Sequence, residues 1–431
     1  MEFGIIGLVV FLLLVAFGIP IAFAGALVGF AGMWVVAGIN AATTQLSSLA
    51  YSTASNYMLA TLPLFIFMGN LAYRCGFTQD IYSTARLWVG RLPGGIAVAT
   101  VLGGAGFAAA CGSSVAAATT LTRVALPEMQ RYGYQNRLAL GSIAVGGVLA
   151  TIIPPSNLII VYGILTEQSI GELLLAGYIP GILLAGLFML TIILRAWFNP
   201  SLGVSIRGIT WKERFVGLKG TIGILLLVIL VMGGIYFGLF TPVEAGAVGA
   251  LGTIVLGVAA RRLSLRDFWL ALQETARITS LVIIIIVGVI IFGGFLAYVR
   301  LPIALAQILT GLPVSPSIIL MAVLFLYLIL GTFMSATGML ILTLPIITPA
   351  FMALGLDPIW VGILLVLMCE IAMITPPVGV VIYAVKGAAP DVTFHDIISG
   401  IAWMLPAALL TVALVFAFPQ LALFIPSLMA K

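Results

Sequence analysis

Two stretches of small polar residues, each followed by a Pro-Pro dipeptide, have residue types and a spacing that could bind a cation. They are CGSSVAAATT (111–120) followed by TIIPPSN (151–157), and GTFMSATG (331–338) followed by ITPPVG (374–379). The serine lies 40 positions before the Pro-Pro dipeptide in the first pair and 41 in the second. Helices interrupted at matching positions of two halves are the best sequence indication of the ion and substrate site of a secondary transporter.

The chemistry that these segments offer is the ligation of a hard monovalent cation by oxygen. Hydroxyls, one amide and backbone carbonyls freed by an unwound helix suit sodium, and no cluster of His, Cys and Asp favours a transition metal. The N-termini of the half-helices would present N–H groups to an anionic substrate. The sodium-binding residues that this chemistry predicts are Gly112, Ser113, Ser114, Thr151, Ser156, Asn157, Thr332, Ser335, Thr337, Gly338, Thr375 and Gly379. The candidates for substrate contact are Ser114, Asn157, Ser335 and Thr337.

Structural alternatives stay open for single residues. Ser, Thr and Gly also let helices pack closely in a membrane, although the duplication of both segments favours a site. Glu370 lies within a predicted span, five positions before Thr375. A carboxylate inside a membrane indicates proton or cation handling. The alternative for Glu370 is a polar anchor that is hydrogen-bonded to unwound backbone.

The composition places these segments in a membrane. The 431 residues are 63% hydrophobic and 7% charged, with a mean hydropathy of +1.29, and a soluble domain could not bury that much apolar surface. The apolar runs are continuous rather than alternating, which argues against a membrane β-barrel. Three cysteines provide no disulfide framework and no metal-binding spacing. The sequence therefore predicts an all-α polytopic membrane protein.

The basic residues indicate an orientation. Placing the basic loops in the cytoplasm puts sixteen of the eighteen Lys and Arg residues there and leaves Arg300 and Lys431 outside. The N-terminus and the C-terminus then both lie on the outer side. Because the net charge of +5 is distributed over short loops, it does not indicate nucleic-acid binding.

The hydrophobic segments predict about ten spans, two re-entrant hairpins and two interfacial arm helices. The spans are Gly4–Gly18, Ile21–Ala37, Tyr57–Tyr73, Arg137–Leu165, Leu173–Arg195, Thr221–Phe240, Val243–Ala260, Ile278–Val299, Pro358–Val385 and Ser399–Phe424. The hairpins are 95–126 and 316–353, and the arms are 40–56 and 264–277. The stretches 137–165 and 358–385 are predicted to be broken helices, because each contains a Pro-Pro dipeptide.

The two halves of the chain are predicted to be inverted repeats. FGIPIAFAGAL resembles FGLFTPVEAGAV, and GELLLAGYIPG resembles FHDIISGIAWMLP. Residues 1–198 form the first repeat, 199–219 a cytoplasmic linker, and 220–431 the second repeat. Because each repeat has an odd number of spans, the second copy enters the membrane from the opposite face, an arrangement that supports alternating access.

An ordered series of motifs along nearly the whole chain resembles the large membrane subunit of tripartite ATP-independent periplasmic (TRAP) transporters, the DctM-like proteins. The motifs are LPLFIFMGNLAYRCG, GSSVAAAT, PEMQRYGY, IIPPSNLIIVYG, LLLAGYIPG, TPVEAGAVGA, ILTLPIITP and ITPPVG. Relatives often have an acidic residue after the Met of the second hairpin, where this chain has Ser335.

The resemblance implies a sodium-coupled importer of an organic-acid anion, such as a C4-dicarboxylate, sialic acid or another sugar acid, in the bacterial inner membrane. Its implied partners are a periplasmic substrate-binding protein and a small membrane subunit of about four spans. Both termini of this chain would be periplasmic. Residues 95–165 and 316–385 correspond to the family's transport element, which slides as an elevator against the remaining spans. The resemblance also implies sodium-site positions at 113–114, 154–157, 332–338 and 375–379, which adds Pro154 and Pro376 to the predicted sodium-binding residues. No cofactor is expected beyond sodium as the coupling ion.

Two other function classes are considered. A stand-alone sodium/dicarboxylate symporter of related two-hairpin architecture would need no binding protein. A membrane-embedded enzyme has little support, because the spans contain no paired carboxylates, metal cluster or nucleophile–base arrangement.

Overall fold

The computed structural model describes residues 2–206 and 208–429, with backbone alone for residues 108–111, and within these ranges the chain is α-helical without β-strands. The helices of the first half are α1 (Glu2–Ala16), α2 (Ile21–Ala37), α3 (Ile39–Ala54), α4 (Thr61–Arg74), α5 (Phe77–Val89), α6 (Gly95–Cys111), α7 (Ser114–Arg131), α8 (Asn136–Ile152), α9 (Asn157–Thr166), α10 (Ile170–Ala176) and α11 (Tyr178–Phe198). Those of the second half are α12 (Trp211–Tyr236), α13 (Pro242–Ala259), α14 (Leu265–Tyr298), α15 (Leu301–Thr310), α16 (Pro316–Gly331), α17 (Ala336–Ala353), α18 (Pro358–Met373), α19 (Val380–Ala388), α20 (Phe394–Ala402), α21 (Leu405–Ala417) and α22 (Gln420–Met429).

The helices are those of a multi-pass membrane protein. In the described part of the chain, six segments are long and apolar enough to cross a membrane, and two bent helix pairs raise the number to eight. The sequence predicts about ten. The difference arises partly because α1, α2 and α18 are apolar but have only 15, 17 and 16 residues. Helix α12 leaves Leu226, Ile229 and Leu230 more than half exposed, as expected of side chains that face lipid.

The two predicted arm segments differ from each other. The first forms the separate helix α3, which Gly38 divides from α2 with a positive φ of 89°. The second, 264–277, does not form a separate helix, because α14 continues through it and the following span for 34 residues. Its sequence explains the difference, since the first glycine in α14 is Gly288 and the helix contains no proline.

Three connections that the sequence analysis places between spans contain further helix. The basic segment before the first hairpin forms α5, which buries Phe77, Ile81 and Tyr82 along one face. The matching segment before the second hairpin forms α15. The predicted linker 199–219 is shorter than expected, because α12 begins at Trp211, where Thr210 caps the helix by accepting a hydrogen bond from the Glu213 amide at 3.3 Å.

The order of interrupted helices is the same in both halves. Helices α6 and α7 meet at 112–113 and occupy the first predicted hairpin, and α16 and α17 meet at 332–335 in the second. The α8–α9 pair is bent by 41° at the first Pro-Pro dipeptide, and α18 ends just before the second. The packing between halves is reciprocal, since α7 contacts α19, α17 contacts α9, and α8 contacts α18. This exchange brings the interruptions of both halves into one region.

Helices α2 and α14 cross at glycines, so a side chain added at the crossing is expected to destabilise the fold. A Cβ atom added at Gly288 would lie 2.0 Å from the Ala22 carbonyl oxygen, which is backbone and cannot move aside as a side chain could. We expect Gly288→Ala to destabilise the protein by roughly 3 kcal/mol, because overpacking forces the two helices apart. The thermal unfolding midpoint of the purified protein measures the effect.

The matched control is Gly233→Ala on α12, where an added Cβ has no neighbouring atom within 4 Å. That change is expected to leave the midpoint unchanged or to raise it slightly, because alanine favours a helix over glycine by about 1 kcal/mol. Equal midpoints for the two variants would contradict the close crossing of α2 and α14.

Candidate functional site at the hairpin tips

Both hairpin tips open onto one cavity of about 220 Å³. Seven predicted site residues line it, from both halves of the chain. They are Gly112, Ser113, Ser114, Thr151, Asn157, Ser335 and Thr337. The opposite wall is apolar and comes from α4 and α14, with Leu62, Ile66, Ile278 and Val282. The cavity is therefore lined by the hairpin tips and by the helices α4 and α14.

The first hairpin tip is held by Asn157 at the first break. Gly112 has a positive φ of 53°, a conformation that favours glycine. The Asn157 Nδ2 atom donates to the Gly112 carbonyl oxygen at 3.4 Å. Ser113 caps α7 by accepting from the Ala116 amide at 3.4 Å. The tip thus combines a helix N-terminus with a backbone turn that lines the cavity, the geometry used for ions at broken membrane helices.

The first break is organised by Ser156, which is fully buried outside the cavity lining. Its hydroxyl donates to the Thr151 carbonyl oxygen and accepts from the Ile159 amide at 3.3 Å, so it joins the end of α8 to the start of α9. Ser156 and Pro154 do not line the cavity. Their contribution is to the shape of the break rather than to its lining. Thr151 does line the cavity, and its hydroxyl donates to the Val148 carbonyl at 3.0 Å.

The second hairpin tip is held in a related way. Ser335 caps α17 by accepting from the Gly338 amide at 3.2 Å. The Gly379 amide at the second break donates to the Thr332 carbonyl at 3.1 Å. In each half, therefore, one hydrogen bond joins the hairpin tip to the Pro-Pro break of the same half.

The second break does not contribute to the cavity lining. Thr332, Gly338, Thr375, Pro376 and Gly379 are predicted site residues that lie outside the lining. The Thr375 hydroxyl donates back to the Ile371 carbonyl at 2.8 Å, within the helix that precedes it. The lining on this side comes instead from α18, through Glu370 and Met373. The predicted second set is therefore only partly brought to the common cavity, by Ser335 and Thr337.

The donor atoms around the cavity fit a hard monovalent cation. They are hydroxyls, backbone carbonyls and one carboxylate, which alkali ions prefer, whereas transition metals prefer imidazole and thiolate. Among the described residues, no group of three or more His, Cys, Asp or Glu side chains could hold a metal ion. The N-termini of α7, α9 and α17 add N–H groups with partial positive charge.

Comparison with known proteins identifies the family. The family described as "Tripartite ATP-independent periplasmic transporter, DctM component" matches residues 8–421. The chain belongs to this family. The TRAP resemblance inferred from the motifs is thus confirmed, and the DctM-component proteins are transporter permease subunits rather than enzymes.

Two relatives and one solved structure illustrate the similarity. The sialic acid TRAP transporter large permease protein SiaM of Vibrio cholerae is 32% identical over 94% of this chain and 96% of its own length. The C4-dicarboxylate TRAP transporter large permease protein DctM of Pseudomonas aeruginosa is 31% identical over 88% of both chains. The crystal structure of the Alcanivorax borkumensis YdaH transporter matches with a TM-score of 0.62 and 17% identity, over 88% of this chain and 89% of that one. That likeness concerns the fold alone.

Proposed function

We propose that this chain is the large permease subunit of a sodium-coupled importer of an organic-acid anion. The observation that carries the proposal is the common cavity onto which both capped hairpin tips open. Sialic acid and C4-dicarboxylates, which the relatives' names specify, are the first candidate substrates, and other sugar acids follow. Serine hydroxyls, the Asn157 amide and helix N-termini would bind the carboxylate of the substrate.

The importer would have three components in the bacterial inner membrane. A periplasmic binding protein would deliver the substrate, and a small membrane subunit of about four spans would complete the permease. The distribution of Lys and Arg supports periplasmic N- and C-termini for this chain. The predicted inverted repeat suits this role, because two halves of opposite orientation can expose one site to either side in turn.

Sodium would supply the driving force. One ion that moves down a potential of 100 mV provides about 2.3 kcal/mol, so two ions would provide roughly 4.6 kcal/mol before any concentration term. That energy would sustain accumulation of a singly charged acid against an inside-negative potential. The oxygen donors of the first tip and the first break, at Gly112, Ser114 and Thr151, are the best candidates for one of the ions.

The motion would be that of an elevator. The cavity has one wall from residues 95–165 and 316–385 and the other from α4 and α14. A substrate bound there would lie between two bodies. Sliding of the first body against the second would carry the substrate across the membrane without unfolding either one.

The test is uptake into proteoliposomes that contain the complete permease, with the cognate binding protein outside. We expect uptake of an organic acid with sodium and none with choline. Ser114→Trp and Ser335→Trp are each expected to abolish uptake, because an indole would fill much of a cavity of this size. Ser427→Trp is the control, since Ser427 is exposed on α22 at the far end of the chain. Uptake in choline equal to that in sodium would refute sodium coupling.

The stand-alone symporter is the second candidate and is tested in the same assay. Uptake by this chain without a binding protein or small subunit would favour it. The family match favours the three-component reading.

A further inference from the structure

We propose that the carboxylate of Glu370, which belongs to the second half of the chain, is the anionic ligand of the sodium ion at the first hairpin tip. This inference rests on the proposed sodium coupling and assigns to it a ligand that the Gly/Ser/Thr and Pro-Pro pattern does not contain.

Glu370 is a buried acid that faces the cavity. It lies on α18, its side chain lines the cavity, and only 1% of its surface is exposed. Its Oε2 atom has no hydrogen-bond partner in the described part of the chain. A buried carboxylate oxygen without a hydrogen-bond partner costs free energy, so a ligand is expected beside such an atom. The lack of a partner for Oε2 also argues against a role as a fully hydrogen-bonded structural anchor.

The atoms next to this carboxyl belong to the first hairpin and the first break. The hydroxyls of Ser114 and Thr151 line the cavity together with this carboxyl. Ser114 also contacts the Met373 sulfur on α18, with Oγ and Sδ 3.9 Å apart. The Thr151 hydroxyl donates its hydrogen to the Val148 carbonyl. A hydroxyl that donates its hydrogen elsewhere keeps its oxygen lone pairs available, and a cation at this point would have a carboxylate and two hydroxyls around it.

The charges in the cavity also favour a cation beside Glu370. Among the described residues that line it, Glu370 is acidic and none is Lys, Arg or His. An organic-acid substrate would bring a second negative charge into the same 220 Å³. Two anions in a small, largely apolar space repel each other strongly unless a cation lies between or beside them. A sodium ion on Glu370 would remove this repulsion, so that binding of the ion favours binding of the substrate.

The two halves of the chain differ at the position of Glu370. Val148 lies six residues before the first Pro-Pro dipeptide, and Glu370 lies six residues before the second. The first half therefore has no acid of its own at the equivalent place. Because α8 and α18 pack against each other, the acid on α18 reaches the site that the first half builds. The first sodium site would thus be shared between the halves.

The experiment measures binding of radioactive ²²Na⁺ to the full-length protein by scintillation proximity. Glu370→Gln removes the charge and keeps the size of the side chain. We expect its sodium affinity to fall about tenfold or more, which corresponds to about 1.4 kcal/mol. Glu274→Gln is the matched control, because Glu274 is exposed on the amphipathic part of α14, and its affinity is expected to equal that of the wild type. Glu370→Asp keeps the charge on a shorter side chain and is expected to bind with intermediate affinity.

A double-mutant cycle tests whether Glu370 and Ser114 bind the same ion. If they do, the combined loss in Ser114→Ala/Glu370→Gln will be smaller than the sum of the single losses. Additive losses would assign the two residues to different sites and overturn the proposal. Wild-type sodium affinity in both Glu370 variants would also overturn it, as would a fall in the unfolding midpoint in choline with unchanged sodium affinity. An absence of sodium binding to the wild-type protein would instead refute the sodium coupling itself.

Discussion

A disulfide between Gly293→Cys on α14 and Pro345→Cys on α17 is expected to stop transport almost completely, and a reductant is expected to restore it. An added Cβ at Gly293 would lie 3.4 Å from the Pro345 Cβ, close to the separation of about 3.5–4.5 Å found in disulfides. Helix α17 belongs to the predicted moving element, and α14 lies outside it. A covalent bond between them would prevent any sliding of one body against the other.

Two controls distinguish a blocked motion from other effects of the substitutions on transport. Each single-cysteine variant must transport under the same oxidising conditions, and so must the wild-type protein with its native cysteines. The pair Gly4→Cys and Leu301→Cys joins α1 and α15, both outside the predicted moving element, with Cβ atoms about 3.1 Å apart. Its disulfide is expected to leave most of the uptake intact. Full uptake by the oxidised α14–α17 pair, with the disulfide verified by mass spectrometry, would contradict the elevator motion.

The sequence predicts the interrupted helices well because Gly and Pro act locally. Gly112 needs no tertiary contact to leave the helical conformation, and the Pro-Pro dipeptides remove backbone donors wherever they occur. The sequence alone favours connections at α5 and α15, because their charged or short segments do not stand out from a loop. Their helical form depends on an apolar face packed against the hairpins and α12, such as Phe77 and Ile81 of α5. Periodicity over one or two turns carries little of that information.

The candidate site is predicted more accurately in the first half of the chain than in the second. The two halves have similar sequence patterns, but they do not contribute equivalent residues to the cavity lining. The first half brings its break to the cavity through Thr151 and Asn157. At the second break, the Gly379 amide is bonded to Thr332, and none of the predicted residues of this break lines the cavity. Glu370 takes part from one turn before the break. The sequence identifies it as an acid in a membrane, but only the packing of α18 against the first half places it beside Ser114.

Replacing Gly112 by alanine is expected to reduce sodium-dependent uptake at least tenfold. The alanine side chain would introduce two free-energy costs at this position. The positive φ of 53° disfavours any side chain by about 1–2 kcal/mol. The new Cβ would also lie 2.2 Å from the Asn157 Nδ2 atom, which is the donor to the Gly112 carbonyl. Alanine would therefore displace the amide that joins the first tip to the first break.

The control for Gly112→Ala is Gly133→Ala, which isolates the second of these costs. Gly133 follows α7 with a φ of 74°, and an added Cβ there has no atom within 4 Å. Gly133→Ala has the same backbone cost without the collision, so its unfolding midpoint should fall while its sodium concentration for half-maximal uptake stays that of the wild type. Gly112→Ala should raise that sodium concentration as well, because the displaced Asn157 lies at the ion site. If both variants change only the midpoint, the contact between Asn157 and the first tip stabilises the fold without contributing to sodium binding, and the first tip loses its assigned role.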